Sequence, residues 1–165
     1  MNYIDNWDEV FMRGVYNISW KSKDPKTKIG AILVRDNIPI VQCFNGFPRK
    51  IKDDNRYLDR DLKRRMVAHA EANTILVSAR LGKSTDNTIC YTQGVPCSSC
   101  CISLIQGGVS EIVVHKQWPN LTHSPEWISS INLSKEMLNE AGIKIRVFDK
   151  VLGLEGMLDG QIIKV

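Results

Sequence analysis

Two short segments hold residue types that can build a reactive metal centre. The first is His69-Ala70-Glu71, and the second, Pro96-Cys97-Ser98-Ser99-Cys100, begins 27 residues after His69. One imidazole and two thiols are soft to borderline ligands of the kind zinc takes, one short of the closed tetrahedral set of a structural site. The fourth position then falls to water, whose pKa such a metal draws down towards about 7. Glu71 stands two residues from His69, so its carboxylate can approach that water from beside the ligand, take its proton and deliver it elsewhere. The competing reading is a closed zinc module with a fourth protein ligand, for which Cys43, Cys90, Cys101, His115 and His123 are available. Cys101 turns roughly 100° away from Cys100 on a helix, which suits a buried thiol better than a ligand. Cys43 and Cys90 fall inside expected strands, where core residues belong. A redox pair of Cys97 and Cys100 leaves His69 and Glu71 without a part.

Elements must bring these segments together. Over residues 67–81, Ala68, Ala72, Ile75, Leu76 and Ala79 recur at helical spacing and Gly82 closes the run, which predicts a helix with His69 in its first turn or two. Residues 88–92 read as a strand, and Pro96 opens a helix over 97–106 that ends at Gly107-Gly108. Cys97 and Cys100, three apart, then project to one side near a helix N-terminus, which favours the thiolate a metal requires. Upstream, Asn6 with Glu9 looks like a capping box for a helix carrying Trp7, Val10, Phe11, Val15 and Ile18. Asp24-Pro25 ends it, and residues 29–34 and 39–43 form a hairpin around Asp36-Asn37. Residues 46–66 are polar and basic, a long loop or partly helical insertion. Residues 111–115, 134–141 and 143–148 continue as strand, helix and strand, and the Gly-rich tail has no assignment. This order predicts one α/β domain over residues 1–165, a three-layer α/β/α sandwich around a five-stranded mixed sheet.

Composition narrows the function classes. With 165 residues, 43% hydrophobic and 24% charged, and no low-complexity run, the chain has the balance of a packed domain. The opening MNYIDNWDEV lacks the charge and apolar run of a secretion signal, and the longest apolar stretches are strand-sized, so a cytoplasmic location and no membrane contact are expected. Five cysteines in a chain this long fit a reducing compartment and turn attention to metal binding. A net charge of +4 favours an anionic ligand and falls short of a dedicated nucleic-acid binder. The excess gathers at Lys21, Lys23, Lys26 and Lys28, and in the stretch from Arg49 to Arg65.

His-x-Glu with Pro-Cys-x-x-Cys is the signature of zinc nucleobase deaminases. The chain further resembles the deoxycytidylate (dCMP) deaminase family, in its small bacterial and phage form, along nearly all of residues 5–149. The segments that carry the likeness are SKDPKTKIG at 22–30, FNGFPR at 44–49, HAEAN at 69–73 and YTQGVPCSSC at 91–100. The resemblance implies that His69, Cys97 and Cys100 hold one catalytic zinc, that Glu71 is the proton shuttle, and that Asn45 binds the deoxyribose 3′-hydroxyl. Asn45-Gly46 also reads as a plain turn after a strand. A 5′-phosphate needs cations, for which Lys26 or Lys28 is the first candidate and Lys116 the second. Trp118 occupies the place of a family aromatic near base and sugar, or is one more core or interface aromatic. Amides around Ala70 and Cys97 are positioned to stabilise negative charge.

The family further implies conversion of dCMP to dUMP and ammonia for thymidylate synthesis, in a homohexamer activated by dCTP with magnesium and inhibited by dTTP. That regulation would act around Gly46, Arg49 and Arg80. Some phage relatives carry a second zinc near the insertion, but residues 46–68 contain neither Cys nor His, so one zinc per chain is expected. Rival readings are a deaminase acting on dCTP, on another amino-heterocycle such as free cytidine, a riboflavin precursor or the wobble adenosine of tRNA, and a non-catalytic zinc module. For a phage-encoded chain the compartment would be the host cytoplasm.

Overall fold

A computed structural model describes residues 6–119 and 124–165. Helix α1 runs Trp7–Ser19 and is capped by Asn6, whose side chain accepts the Asp8 amide at 2.9 Å. The capping box is only half formed. Glu9 turns instead to Arg13 and Lys150, because two cations attract a carboxylate more strongly than one distant amide does. Strands β1 (Gly30–Arg35) and β2 (Ile38–Phe44) pair antiparallel through Asp36-Asn37. Both turn residues have positive φ, the twist that a two-residue hairpin demands.

With β3 (Thr88–Thr92), β4 (Val109–His115) and β5 (Lys144–Phe148), the sheet order is β2-β1-β3-β4-β5. Strand β1 is antiparallel to both neighbours, whereas β3, β4 and β5 are parallel. Period-two alternation sends Ala31, Leu33, Cys90, Ile112 and Val114 to one core, beneath helices α3 (Ala70–Arg80) and α4 (Ser98–Gln106) and Leu138 of α5 (Pro125–Glu140). Ile32, Val34, Tyr91 and Val113 point the other way, onto α1. Each fully buried side chain such as Leu33, Ile112 or Leu104 contributes about 1.5–3 kcal/mol. The expected three-layer sandwich is the observed one, and Cys43, Cys90 and Cys101 lie in the first core as expected.

Several boundaries differ from the sequence reading. Helix α3 begins at Ala70, because Ala68 pairs with Gly46 in both directions and keeps the chain extended up to His69. His69 is therefore the N-cap and not a residue of the first turn. Helix α5 starts at Pro125, capped by Ser124, well before residue 134; its exposed Ile128 and Leu133 blur the amphipathic pattern. The insertion folds into a 3-10 turn, Asn55–Leu58, and a short helix α2, Arg60–Met66. The unassigned tail forms a hairpin, β6 (Glu155–Leu158) and β7 (Gln161–Lys164), around Asp159-Gly160. Among the described residues, no helix is long and apolar enough to cross a membrane.

Candidate active site

Two helix starts face one another on the first-core side of the sheet. Ala68 pairing places His69 at the head of α3, and the loop after β3 places Cys97 at the head of α4, both with extended backbone and neither making a side-chain cap bond. Their side chains are free to meet. His69 Nδ1 stands 3.4 Å from Cys97 Sγ and 3.4 Å from Cys100 Sγ. All three ligand atoms lie within 4.8 Å of one another, and no other group of three or more His, Cys, Asp or Glu side chains is placed to hold an ion among the described residues. Nitrogen and sulfur bound at about 2.0–2.1 and 2.3 Å to one tetrahedral centre stand about 3.5 Å apart, so the set fits zinc. Of the alternative ligands, Cys101 donates to the Ser134 carbonyl and His115 bonds Tyr16 and the Lys150 carbonyl. His123 lies outside the described residues.

The electrostatics suit a cation. Hydrogen bonding from Cys100, and then from His69, pulls the Cys97 thiol down to about 4, while Cys100, holding the proton the pair shares, is pushed up. The Cys100 amide beside the Cys97 sulfur and the Ala72 amide beside the Cys100 sulfur each favour the thiolate form. The hydrogen bond with Cys97 also raises His69, to about 9. Glu71, 7% exposed, sits beside the ligands and not among them. Its Oε2 is 3.7 Å from Cys100 Sγ, and its Oε1 is 3.5 Å from Thr92 Oγ1 at the end of β3. Burial pushes its pKa up, which suits a group that must both take and give a proton.

The other expected residues are placed less uniformly. Ala70 is fully buried at the head of α3. Asn45 is buried, and its amide serves the loop before β1: Oδ1 accepts from Ile29 N at 2.9 Å and Nδ2 donates to the Thr27 carbonyl at 2.9 Å. One lone pair and one N–H of that amide are left over. Gly46 makes the bridge to Ala68. Lys28 donates to the Ser22 carbonyl, and burial lowers its pKa, whereas Lys26 is exposed. Lys116 pairs with Asp149, and Arg49 and Arg80 are exposed. Trp118 is half-buried in the second core, 6.1 Å from Tyr16; a Cβ on Gly94 or Gly156 would meet its ring at 3.0 and 2.8 Å. Gly94 belongs to the loop that carries Cys97, so Trp118 packs against the start of that loop.

Sequence reasoning missed two buried polar residues that hold the loop before β1. Gln93 mirrors Asn45: its Oε1 accepts from Gly30 N at 2.7 Å and its Nε2 donates to the Lys28 carbonyl at 3.0 Å. Asp24 accepts from the Lys26 and Thr27 amides and pairs with Lys63 of α2 at 2.9 Å. An Asp with its acceptor oxygen two and three residues before those amides is an Asx-turn, a signal present in the sequence.

Comparison with known proteins agrees with this geometry. Residues 5–116 match the family described as the cytidine and deoxycytidylate deaminase zinc-binding region. A probable deoxycytidylate deaminase of Drosophila melanogaster is 32% identical over 153 residues, covering 86% of this chain and 71% of the relative. Human deoxycytidylate deaminase is 30% identical over 151 residues, covering 86% and 79%. In fold, the chain is similar to the dCMP deaminase of cyanophage S-TIM5, solved in complex with dCMP and dUMP, with a TM-score of 0.68, 19% identity and coverage of 89% of this chain and 100% of that one. Ligand spacing, helix-start geometry and sequence likeness converge, and the chain belongs to the cytidine and deoxycytidylate deaminase family.

Proposed function

We propose that the protein catalyses hydrolytic deamination of dCMP to dUMP and ammonia, as a single-domain enzyme that acts in the cytoplasm and supplies thymidylate synthesis. The observation that carries the reading is the triad of His69, Cys97 and Cys100 at zinc-ligand spacing, with the buried Glu71 carboxylate beside it. It is supported by the names of the relatives at 30% and 32% identity. Zinc held there supplies Lewis-acid activation of water. Glu71 would take a proton from the water that attacks C4 of the cytosine ring and pass it to N3. A second transfer through Glu71 lets the 4-amino group leave as ammonia. The amides at the heads of α3 and α4 stabilise negative charge in the site. Asn45 offers its remaining donor and acceptor to the 3′-hydroxyl, and the exposed Lys26, on the loop that Asn45 holds, meets the 5′-phosphate. Trp118 shapes the wall behind the base.

Regulation by dCTP with magnesium and by dTTP, acting through a homohexamer around Gly46, Arg49 and Arg80, completes the proposal. The test is ammonia release from purified protein with dCMP, dCTP, cytidine and a tRNA anticodon stem-loop, with and without the effectors. Turnover of dCMP that rises with dCTP and falls with dTTP is the expected result. Turnover of dCTP alone would reassign the phosphate site, and a zinc-bound protein silent on all four would be a binding module. Glu71→Gln is expected to keep its zinc and lose at least about a hundredfold in kcat; wild-type turnover in that variant would remove Glu71 from the mechanism.

A further inference from the structure

Metal ligation leaves the start of α4 without its usual support. The first N–H groups of a helix find no carbonyl within the helix, and the N-cap side chain normally serves one of them. In α4 the N-cap is Cys97, whose side chain makes no cap bond and instead faces His69 at 3.4 Å. An acceptor for the first of these amides comes from another helix. Ser130 of α5 accepts the Ser98 N–H on its Oγ at 2.9 Å, and the two serine hydroxyls pair at 2.9 Å. Ser98 is the first residue of α4 and lies between the two cysteine ligands in sequence. One turn further along α5, Ser134 Oγ donates to the Ser130 carbonyl at 3.0 Å, and the Ser134 carbonyl receives Cys101 Sγ at 3.6 Å. The face of α5 that supplies the cap is thus tied to α4 at two levels.

We infer that Ser130 is a positioning residue for the ligand pair Cys97 and Cys100, providing from α5 an acceptor for the first free amide of the helix that carries them. This rests on the zinc reading above. Without the Ser130 hydroxyl, the Ser98 N–H loses its partner, the first turn of α4 loosens, and the distance between the two sulfurs is no longer held. Groups that orient metal ligands in this way are worth about 10–100-fold in metal affinity.

The experiment is a zinc titration of metal-free protein against a chromophoric chelator, with a parallel cobalt titration that reads the thiolate-to-cobalt absorption band. Ser130→Ala is expected to bind zinc about tenfold more weakly, with a shifted cobalt band. Ser130→Thr keeps the hydroxyl and restores both. Ser134→Ala, which removes a hydroxyl bonded only within α5, keeps wild-type affinity. A second pair removes the donor instead: proline is tolerated at the first helical position and has no N–H, so Ser130→Ala added to Ser98→Pro should change zinc affinity no further. Wild-type affinity and band in Ser130→Ala overturn the inference, as does an equal loss in Ser134→Ala. A wild-type chain that binds no zinc overturns the zinc reading itself, a result distinct from either.

Discussion

Two described histidines show how surroundings decide chemistry at the scale of one residue. His69 turns Nδ1 to two sulfurs, at the head of a helix. His115, 3% exposed, sits on the far side of the sheet between the Tyr16 hydroxyl at its Nδ1 and the Lys150 carbonyl at its Nε2, each 2.8 Å away. A carbonyl only accepts, so Nε2 carries a hydrogen, and in the neutral ring Nδ1 accepts from Tyr16. Burial lowers the His115 pKa below its ordinary 6.5. As pH falls below 6.5, the unfolded chain takes up a proton that the folded chain resists, so this contribution to stability is whole above 6.5 and shrinks below it. The gap in denaturation midpoint between wild type and His115→Gln should therefore narrow between pH 7 and pH 5. A gap that stayed constant would mean that His115 does not titrate in this interval.

At the scale of elements, the loop before β1 is held from three sides. Asp24 bonds its Lys26 and Thr27 amides, Asn45 and Gln93 take Thr27, Lys28, Ile29 and Gly30, and the C-terminal hairpin takes the rest. In that hairpin Met157 O accepts from Lys28 N at 3.0 Å, and Gly160 N donates to Lys26 O at 2.7 Å. Helix α2 is joined to this loop by Lys63, 17% exposed, against Asp24, 2% exposed. Lys63→Met should leave the Asp24 carboxylate buried without its cation and cost about 3 kcal/mol in urea unfolding. Asp24→Asn added to Lys63→Met should recover part of that loss, because the stranded charge is gone. If the double variant were no more stable than the single, loss of packing and not charge would be the cause.

For the whole molecule, the ligands come from segments separated in sequence and meet only when α3 and α4 lie side by side on the sheet. An ion that binds the folded chain and not the unfolded one stabilises it by about 2.7 kcal/mol at a hundredfold excess over Kd, roughly 5–10 °C in Tm for a chain of this size. Removing the metal with a chelator should lower Tm by that amount, and Cys97→Ser should start from the lower value and respond little. A chelator-insensitive wild-type Tm would mean the triad holds no ion. The charge of +4 belongs to this scale as well. Binding of a mononucleotide such as dCMP should weaken only shallowly with salt, in contrast to the steep slope of a polynucleotide binder.

What sequence alone determined here is local. Short continuous apolar runs marked β1, β3 and β4, because strands buried on both faces carry apolar residues at successive positions. The ligand types and their spacing marked His69, Cys97 and Cys100 because a metal centre accepts few side chains. The hairpin around Asp159-Gly160 was not read from the sequence, because the Gly-rich tail hid the strands around it. Tertiary structure decided the rest. That His69 caps α3, and does not lie within it, follows from Gly46 pairing with Ala68, a contact across the insertion. That Asn45 and Gln93 hold the loop before β1, and that Ser130 serves the first amide of α4, depends on backbone groups left unpaired by distant segments. A sequence records which side chains can bond; which amides lack a partner is known only once the chain has folded around them.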